Sequence, residues 1–418
     1  MKPTLYRKKL FLMPGCLLLS AALLLQSSSC GLRTDATALS AGYSRKAIEQ
    51  GEADEAFVAA LSDFSFSLFR ESLQKDGSND LLSPLSATVC LAMLANGTAG
   101  STETELGKAL GMSRDSLNKG MYGYLSTLYS AKSCKLQLAD SIWIRDSEAD
   151  SIRKEFLQAN ADWYDASVYS APFDSSTVKD INKWVNRQSD GMIDSILDSI
   201  PDSTVMYLIN ALAFDAKWET KYRKSQIRDG QFIGYDGTET TASMMYSEES
   251  VFLSGEGVQG FAKNYAGGRY SFVALLPDRG SDIYTYAASL DGKQWQTLWK
   301  NKTEETVRVA IPEFRCERQR SLKESLAGLG VTKLFEEQLA DFSALSSTAS
   351  LHCSEITQKV FLEVDRNGTK AAAITRAGVN KAALNPEEKI VTLDRPFLYA
   401  VADNRTGLPL FLGITAAL

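Results

Sequence analysis

Residues 362–397 read LEVDRNGTKAAAITRAGVNKAALNPEEKIVTLDRPF, and this stretch decides how the rest of the chain is interpreted. It begins as a strand, passes through Gly368 into a run of alanines, and shows no strong periodicity until a second strand-like run begins at Ile390. An irregular segment of this length inside a compact domain is uncommon, and it is usually either functional or disordered. The alternation of small and charged side chains along it favours a functional segment over a disordered one.

The side chains of this segment sort into two groups if it becomes a β-strand, because alternate residues of a strand face opposite sides of a sheet. One side would carry both charges, on Lys370 and Arg376. The order ends at Lys381, whose ammonium would fall on the buried side, so the pattern predicts a loop that can enter a sheet as far as about Asn380. An Ala-rich surface helix or a mobile linker is the alternative. The other side would hold only small or apolar residues: Thr369, Ala371, Ala373, Thr375, Ala377 and Val379.

The flanks of this segment resemble one protein family. GTKAAAIT at residues 368–375 is similar to the hinge of the serpins, and DRPFLYAVADNRTGLPLFLG at residues 394–413 is similar to their C-terminal strand pair. The resemblance spans roughly residues 56–418. It implies an α+β serpin fold, in which helices surround three β-sheets and a reactive-centre loop, here about residues 366–390, is exposed.

The resemblance implies an inhibitor of serine endopeptidases, with cysteine endopeptidases as a further class, and not an enzyme. The target protease would cleave the loop, form a covalent acyl-enzyme, and be trapped when the cut segment inserts into the main sheet. A non-inhibitory serpin that binds or carries a ligand is the alternative, although such members tend toward bulky or proline-containing hinges and this chain has neither. The hinge implied by the resemblance comprises Gly368, Thr369, Lys370, Ala371, Ala372, Ala373, Ile374 and Thr375.

The family spacing, counted forward from Gly368, places the cleaved bond between Ala382 and Ala383. The sequence ALNP at residues 383–386 resembles the segment that follows the cut in serpins with a long loop, and it gives the same bond. A small residue before the cut favours elastase-like or subtilisin-like proteases. A register shift of one residue would place the bond between Lys381 and Ala382 and favour a trypsin-like target.

The resemblance also implies a gate where the strands of the main sheet must part to admit the loop. From the residues alone, Ser83 and Ser86 are caps of an apolar helix, and core packing explains Trp218 equally well. Gln358 stands where many serpins carry a histidine, and Arg366 replaces a usual acid, as does Lys370 in the hinge. The implied gate residues are Ser83, Ser86, Asn210, Gln358 and Trp218.

Residues 1–29 have the features of a secretory signal, since basic residues precede an apolar run at 10–25 and small residues follow it. The sequence SSSC resembles a bacterial lipoprotein box, which implies a lipid on Cys30 and attachment to the outer membrane, on its periplasmic or its surface face. A conventional signal peptide cut elsewhere is the alternative. Residues 30–50 would then form the lipidated cysteine and a polar tether, and residues 51–418 the serpin domain.

The 418 residues carry a formal net charge of −6, so no basic surface for a nucleic-acid partner is indicated. The one histidine, His352, excludes any site that needs two imidazoles. We expect no cofactor, no metal and a monomer. Four cysteines beyond Cys30 lack the CxxC spacing of zinc or redox sites, and the sequence does not fix whether they pair: Cys90, Cys134, Cys316 and Cys353.

The remaining chain mixes helical and strand patterns without a regular βαβ order, which predicts one large α+β domain. Residues 135–144 alternate like a strand, and residues 208–219 resemble the central strand of the serpin family. Ser321, three residues before Glu324, predicts a capping box at the start of a short helix. An apolar stripe at spacings of four, three and four predicts a first helix with four inward residues: Phe57, Leu61, Phe64 and Leu68.

Overall fold

Apolar residues that recur every three or four positions form helices and turn inward, as the sequence predicted for the four residues of the first stripe. The structure is a computed structural model, and it describes residues 36–45, 53–129, 134–348, 351–369 and 388–418. None of the helices in these ranges is both long and apolar enough to cross a membrane. In chain order the helices are α1 Glu55–Ser72, α2 Pro84–Ala95, α3 Gly100–Ala109, α4 Arg114–Tyr129, α5 Lys154–Tyr164, α6 Ser175–Gln188, α7 Ile283–Ser289, α8 Gly292–Lys300 and α9 Lys323–Gly328.

The strands fall between and after these helices. In chain order they are β1 Thr37–Ala38, β2 Asp80–Leu82, β3 Cys134–Arg145, β4 Ser167–Ala171, β5 Met206–Lys217, β6 Ile227–Ile233, β7 Glu239–Glu249, β8 Val251–Gly255, β9 Val258–Asn264, β10 Tyr270–Pro277, β11 Val307–Pro312, β12 Phe314–Ser321, β13 Glu355–Asp365, β14 Gly368–Thr369, β15 Lys389–Thr392, β16 Phe397–Asp403 and β17 Pro409–Thr415.

These strands form three sheets. Sheet A has the order β1-β4-β3-β5-β14-β13-β12, sheet B the order β2-β17-β16-β10-β9-β8, and sheet C the order β15-β11-β7-β6. The two strands predicted at residues 135–144 and 208–219 are β3 and β5 in the middle of sheet A. The predicted α+β class, with helices around three sheets, is confirmed.

Sheet A contains a seam between β5 and β13 that determines where a further strand can enter. The two strands are parallel and pair from Glu355 with Tyr207 as far as Phe361 with Ala213. Beyond that point they diverge around the short strand β14, which is antiparallel to both of them. The seam is therefore closed along most of its length and open at one end.

Helix α2 lies beneath this seam and packs against β3, β5 and β17. Every residue from Pro84 to Ala95 is buried, which is why the helix shows no polar face. Pro84 occupies its first turn, where a missing N–H costs no hydrogen bond. The helix therefore packs against the strands that would have to separate.

Two local expectations differ from the structure. Ser321 ends β12, and the N-cap of α9 is Leu322 and not Ser321; the Ser321 hydroxyl accepts from the Lys323 N–H at 3.2 Å and donates to Glu355 at 2.6 Å. Part of the segment assigned to a tether contacts the domain, since Thr37–Ala38 pair with β4 and the Leu39 N–H donates to Val168 at 2.8 Å. Backbone hydrogen bonding to an otherwise uncovered sheet edge accounts for this second difference.

Candidate functional site

The first two residues of the hinge already lie inside sheet A. Thr369 pairs with Ala216 of β5 on one side and with Val364 of β13 on the other, and Gly368 pairs with the next residue of each strand. Both hinge residues are buried. The chain that leads into the loop therefore occupies the open end of the seam before any bond is cut.

Gly368 occupies a position where no side chain fits. A Cβ atom there would lie 2.1 Å from the carbonyl oxygen of Ala216 and 2.6 Å from the Cα of Lys217. Its φ of +152° is also a value that residues with a side chain rarely adopt. The glycine allows the backbone to approach β5 closely enough for strand pairing.

Thr369 is held by an aromatic cluster at the entry to the seam. Its hydroxyl shares a 2.7 Å hydrogen bond with the hydroxyl of Tyr265, and both side chains are fully buried. Trp218 stacks on Tyr265 with ring centroids 4.6 Å apart. The Trp218 indole N–H donates to the carbonyl of Asp365 at 2.8 Å, and its backbone N–H donates to Asn367 at 3.0 Å. Trp218 thus contacts both ends of the turn through which the chain enters the sheet.

Arg366, which replaces an acid usual in the family, has an acidic partner in this chain. Its Nε lies 3.2 Å from a carboxylate oxygen of Glu313, and its backbone N–H donates to the same oxygen at 3.3 Å. Arg366 and Asn367 form the turn between β13 and β14. The departure from the family pattern therefore leaves the turn with an ion pair to the residue that precedes β12.

Three of the gate residues form one buried hydrogen-bonded group across the seam. Gln358 of β13 donates to the side-chain carbonyl of Asn210 at 2.6 Å and to the backbone carbonyl of Ser83 at 2.9 Å. It also accepts a hydrogen bond from the Ser83 N–H at 3.0 Å. All three residues are fully buried. Gln358 therefore links both strands of the seam to the start of α2 without a histidine.

The two serines have different roles in this group. Ser83 is the N-cap of α2, and its hydroxyl accepts from the Ser86 N–H at 3.2 Å while donating to Leu410 of β17 at 2.9 Å. Ser86 lies inside the first turn and caps nothing. Its hydroxyl points at Asp140, 3.4 Å from one carboxyl oxygen.

Asp140 is a member of this group that the sequence did not reveal. It lies on β3, and its Oδ1 accepts a 2.5 Å hydrogen bond from the side-chain amide of Asn210. Burial raises the pKa of its carboxyl to about 8, although the hydrogen bonds from Asn210 and Ser86 act to lower it. In the sequence this residue is one polar position in an alternating strand. The residue as a whole is half-buried, but the fold buries its Oδ2 atom.

The gate lies a short distance below the inserted hinge. Phe361 is the last residue of β13 that pairs with β5, and Gln358 is three residues further down the same strand. Trp218 lies at the entry of the seam, apart from the other predicted gate residues. The hydrogen bond between Gln358 and Asn210 is consequently among the first side-chain bonds across the seam that a lengthening inserted strand would break.

The far end of the loop is attached to sheet C. Glu388 lies 2.5 Å from Arg308 of β11, and β15 runs parallel to β11 immediately after it. The remaining hinge residues Lys370 to Thr375, the bond at Ala382 and Ala383 with its alternative at Lys381, and Cys30 lie outside the described residues. Nothing in the structure bears on those predictions.

The described ranges contain few residues that could form a metal site or a reactive thiol. No group of three His, Cys, Asp or Glu side chains there could hold a metal ion. His352 lies just before β13 and is partly buried, which lowers its pKa. Cys90, Cys316 and Cys353 are buried thiols.

Comparison with known proteins identifies the family. A family model described as Serpin (serine protease inhibitor) matches residues 59–417. The chain belongs to the serpin family. Among serpin relatives, leukocyte elastase inhibitor A of Rattus norvegicus is 30% identical over 377 residues, which cover 86% of this chain and 98% of that protein.

Two solved serpin structures match with higher identity. Tengpin, a thermophilic serpin, is 40% identical in its native state, with a TM-score of 0.87 and coverage of 92% of this chain and 100% of that chain. Tengpin in its latent state is also 40% identical, with a TM-score of 0.77 and coverage of 90% and 100%. The arrangement of this serpin is thus more similar to the native than to the latent form of the same relative.

Proposed function

We propose that this serpin is a suicide inhibitor of serine endopeptidases, with cysteine endopeptidases as a further class of target. The observation that carries the proposal is the position of Gly368 and Thr369, which pair with both β5 and β13 at the open end of the seam. A loop that begins inside the sheet needs only to lengthen an existing strand. It does not have to start a new one.

The proposed steps are those that membership of the serpin family implies, applied to this geometry. A protease cleaves the loop and remains attached to the residue before the cut as an acyl-enzyme. The freed segment continues inward from Thr369, separates Phe361 from Ala213, and then breaks the bond between Gln358 and Asn210. The attached protease is carried along the sheet, and its active site is deformed before water can release it.

The free energy gained on inserting the cut loop is large enough to drive the insertion. About a dozen inserted residues, each gaining a net backbone bond of about 0.5–1.5 kcal/mol, yield on the order of 10 kcal/mol. Small side chains at alternate positions limit the steric cost of entering a packed sheet. Thr369 shows the first of these positions in place, since it is fully buried.

Relatives support an inhibitory role and an elastase-like target. The rat relative is named leukocyte elastase inhibitor A. We propose cleavage between Ala382 and Ala383 by an elastase-like or subtilisin-like protease, because a small residue before the cut suits a shallow pocket. Cleavage between Lys381 and Ala382 by a trypsin-like protease is the alternative register.

Incubation with elastase, subtilisin and trypsin tests the proposal. We expect an SDS-resistant complex with elastase or subtilisin, and a released C-terminal fragment whose sequence begins at Ala383. The variant Lys381→Ala would abolish any complex with trypsin and leave the elastase complex intact. Cleavage without a complex by all three proteases would reject the inhibitory mechanism for these protease classes, and no cleavage would favour a carrier protein.

We also propose that Cys30 carries the lipid that holds this serpin at the outer membrane, with the serpin domain monomeric. The support is the signal-like sequence before Cys30 and its SSSC context. Growth with a labelled fatty acid should label the wild-type protein, and Cys30→Ser should remove both the label and membrane association. A labelled Cys30→Ser variant would overturn the assignment.

A further inference from the structure

One buried carboxyl at the gate uses only half of its hydrogen-bonding capacity. Asp140 of β3 is paired in register with Asn210 of β5, and Asn210 with Gln358 of β13. Their side chains are joined in a row that crosses the seam. Oδ1 of Asp140 accepts hydrogen bonds, whereas Oδ2 is buried and has no hydrogen-bond partner among the residues that the structure describes.

The row of hydrogen bonds has one direction, which is required both by Asp140 at one end and by the backbone of Ser83 at the other. Its Oδ1 accepts from the Nδ2 amide of Asn210, so the carbonyl oxygen of Asn210 points the other way and accepts from Gln358. The carbonyl oxygen of Gln358 in turn accepts from the Ser83 N–H. An acceptor at the position of Asp140 therefore helps to orient both amides that hold the seam closed.

No opposite charge compensates this carboxyl in the described part of the chain. The titratable groups that act on it electrostatically are the thiol of Cys90 on α2 and the phenol of Tyr129 at the end of α4. A thiol and a phenol are either neutral or anionic, so neither can supply a positive charge, and the raised pKa of each keeps both groups neutral at neutral pH. From β5 the neutral amide of Asn210 donates to this carboxyl, and from β13 the neutral amide of Gln358 donates to Asn210 and not to the carboxyl itself.

Burial without a cation favours the neutral acid in the closed seam. The pKa of Asp140 is raised to about 8, and burial is the largest cause. A partly separated seam admits water, and a hydrated carboxylate has a pKa close to its ordinary value. The closed form therefore binds the proton more tightly than the open form.

We propose that Asp140 is the switch of this gate: its neutral acid keeps β5 and β13 paired, and its ionisation favours their separation. The proposal deepens the proposed function, because separation of this seam is the step that loop insertion requires. It concerns the opening of the sheet and is testable without any protease.

The sign of the pH dependence follows from the two pKa values. Below the ordinary carboxyl pKa both forms are protonated, and opening does not depend on pH. Between that value and about pH 8 the closed form alone holds the proton, so its advantage falls as pH rises. Above about pH 8 both forms are ionised, and the rate of opening becomes constant again.

Insertion of a synthetic peptide provides the test. The peptide TKAAAITRAGVN, which copies residues 369–380, would enter the seam as an added strand, and its incorporation is followed by native gel mobility over a range of pH. For the wild-type protein we expect the rate to rise at least about tenfold between about pH 5 and about pH 8 and then to level off. Asp140→Asn, which resembles the neutral acid, should insert the peptide at the slow rate of acidic solution at every pH.

Further variants separate a titrating switch from a structural residue. Ser86→Ala removes a hydrogen bond that stabilises the ionised form, so the point at which the rate levels off should move to higher pH. Asp229→Asn, on an exposed position of β6, is the matched control and should keep the wild-type profile. Infrared spectra of the wild-type protein should show a protonated carboxylic acid at neutral pH that disappears above about pH 8.

These readouts decide the proposal even if Asp140→Asn does not fold, because the infrared band and the Ser86→Ala shift need only folded proteins that retain Asp140. An unchanged pH profile in Asp140→Asn, no shift in Ser86→Ala, or no protonated acid at neutral pH would overturn the inference. A pH-dependent insertion rate in a protein that traps no protease would leave the gate inference standing and reject only the inhibitory function.

Discussion

The hydroxyl oxygens of Thr369 and Tyr265 lie 2.7 Å apart, and this hydrogen bond links the described part of the hinge to the body of the molecule. Tyr265→Phe would leave the buried hydroxyl of Thr369 without its partner, at a cost of about 1–3 kcal/mol. We expect a lower midpoint of urea unfolding. The double variant Tyr265→Phe with Thr369→Val should recover most of the loss, because both partners are then apolar. A double variant no more stable than the single one would contradict this account.

Arginine on the inward side of the hinge should convert the inhibitor into a substrate. Thr369→Arg or Ala371→Arg would force a bulky charged group into a packed sheet, and a barrier raised by about 1.4 kcal/mol slows insertion about tenfold. The measurement is the ratio of SDS-resistant complex to cleaved, uncomplexed protein. Lys370→Arg, on the other side of the strand, is the matched control and should still form complex. A persistent complex in either inward variant would count against insertion.

A methyl group at Gly368 should expel the hinge from the sheet, because its Cβ would meet the backbone of β5 at 2.1 Å. We expect faster hydrogen exchange at the amides of residues 216–217 and 368–369 in Gly368→Ala. Gly237→Ala is the control, since Gly237 has a φ of +82° and no atom within 4 Å of the Cβ position. Equal exchange in the two variants would show that close approach to β5 is unimportant.

Exchanging the charges of Arg366 and Glu313 together should restore the stability that each single charge reversal removes. Both side chains are partly exposed, so the pair is worth about 0.2–1 kcal/mol. Arg366→Glu and Glu313→Arg should each lower the unfolding midpoint, and the double variant should return close to the wild-type value. Additive losses in the double variant would mean that the two groups do not interact.

The nicked molecule should melt at a higher temperature than the intact one. Insertion that gains on the order of 10 kcal/mol in a chain of this length corresponds to a rise on the order of 10 °C. Calorimetry before and after cleavage by elastase measures it. An unchanged melting temperature would mean that the cut segment stays outside the sheet.

Much of this architecture could be predicted because the informative residues are close together in sequence. The hinge at residues 368–375 and the strand pair at residues 394–413 are continuous motifs, and they identify the fold. The apolar spacing of α1 reports its buried face directly, whereas the alternation of β3 indicates a strand but not its burial, because residues 141–144 are all buried. The resemblance assigned Gln358, Ser83 and Asn210 to one gate, and Gln358 hydrogen-bonds to both of the others.

What could not be predicted depends on residues that are distant in the sequence. Glu313 reaches Arg366 across 53 positions, so the sequence suggested an unfavourable replacement where the structure has an ion pair. The chemical character of Asp140 depends on α2, which lies far from it in the chain. Ser321 matched a capping pattern and its hydroxyl does accept from the Lys323 N–H, but its second partner is Glu355, 34 residues away, and α9 begins one residue later than predicted.

The relative direction of its strands also favours the insertion of a further strand into sheet A. β5 and β13 run the same way, and parallel ladders are slightly less stable per residue than antiparallel ones. A strand that continued β14 downward would run opposite to both neighbours, as its first two residues already do. Insertion would replace the seven parallel residue pairs between β5 and β13 with two antiparallel ladders. Each strand from β3 to β12 would then be antiparallel to its neighbour.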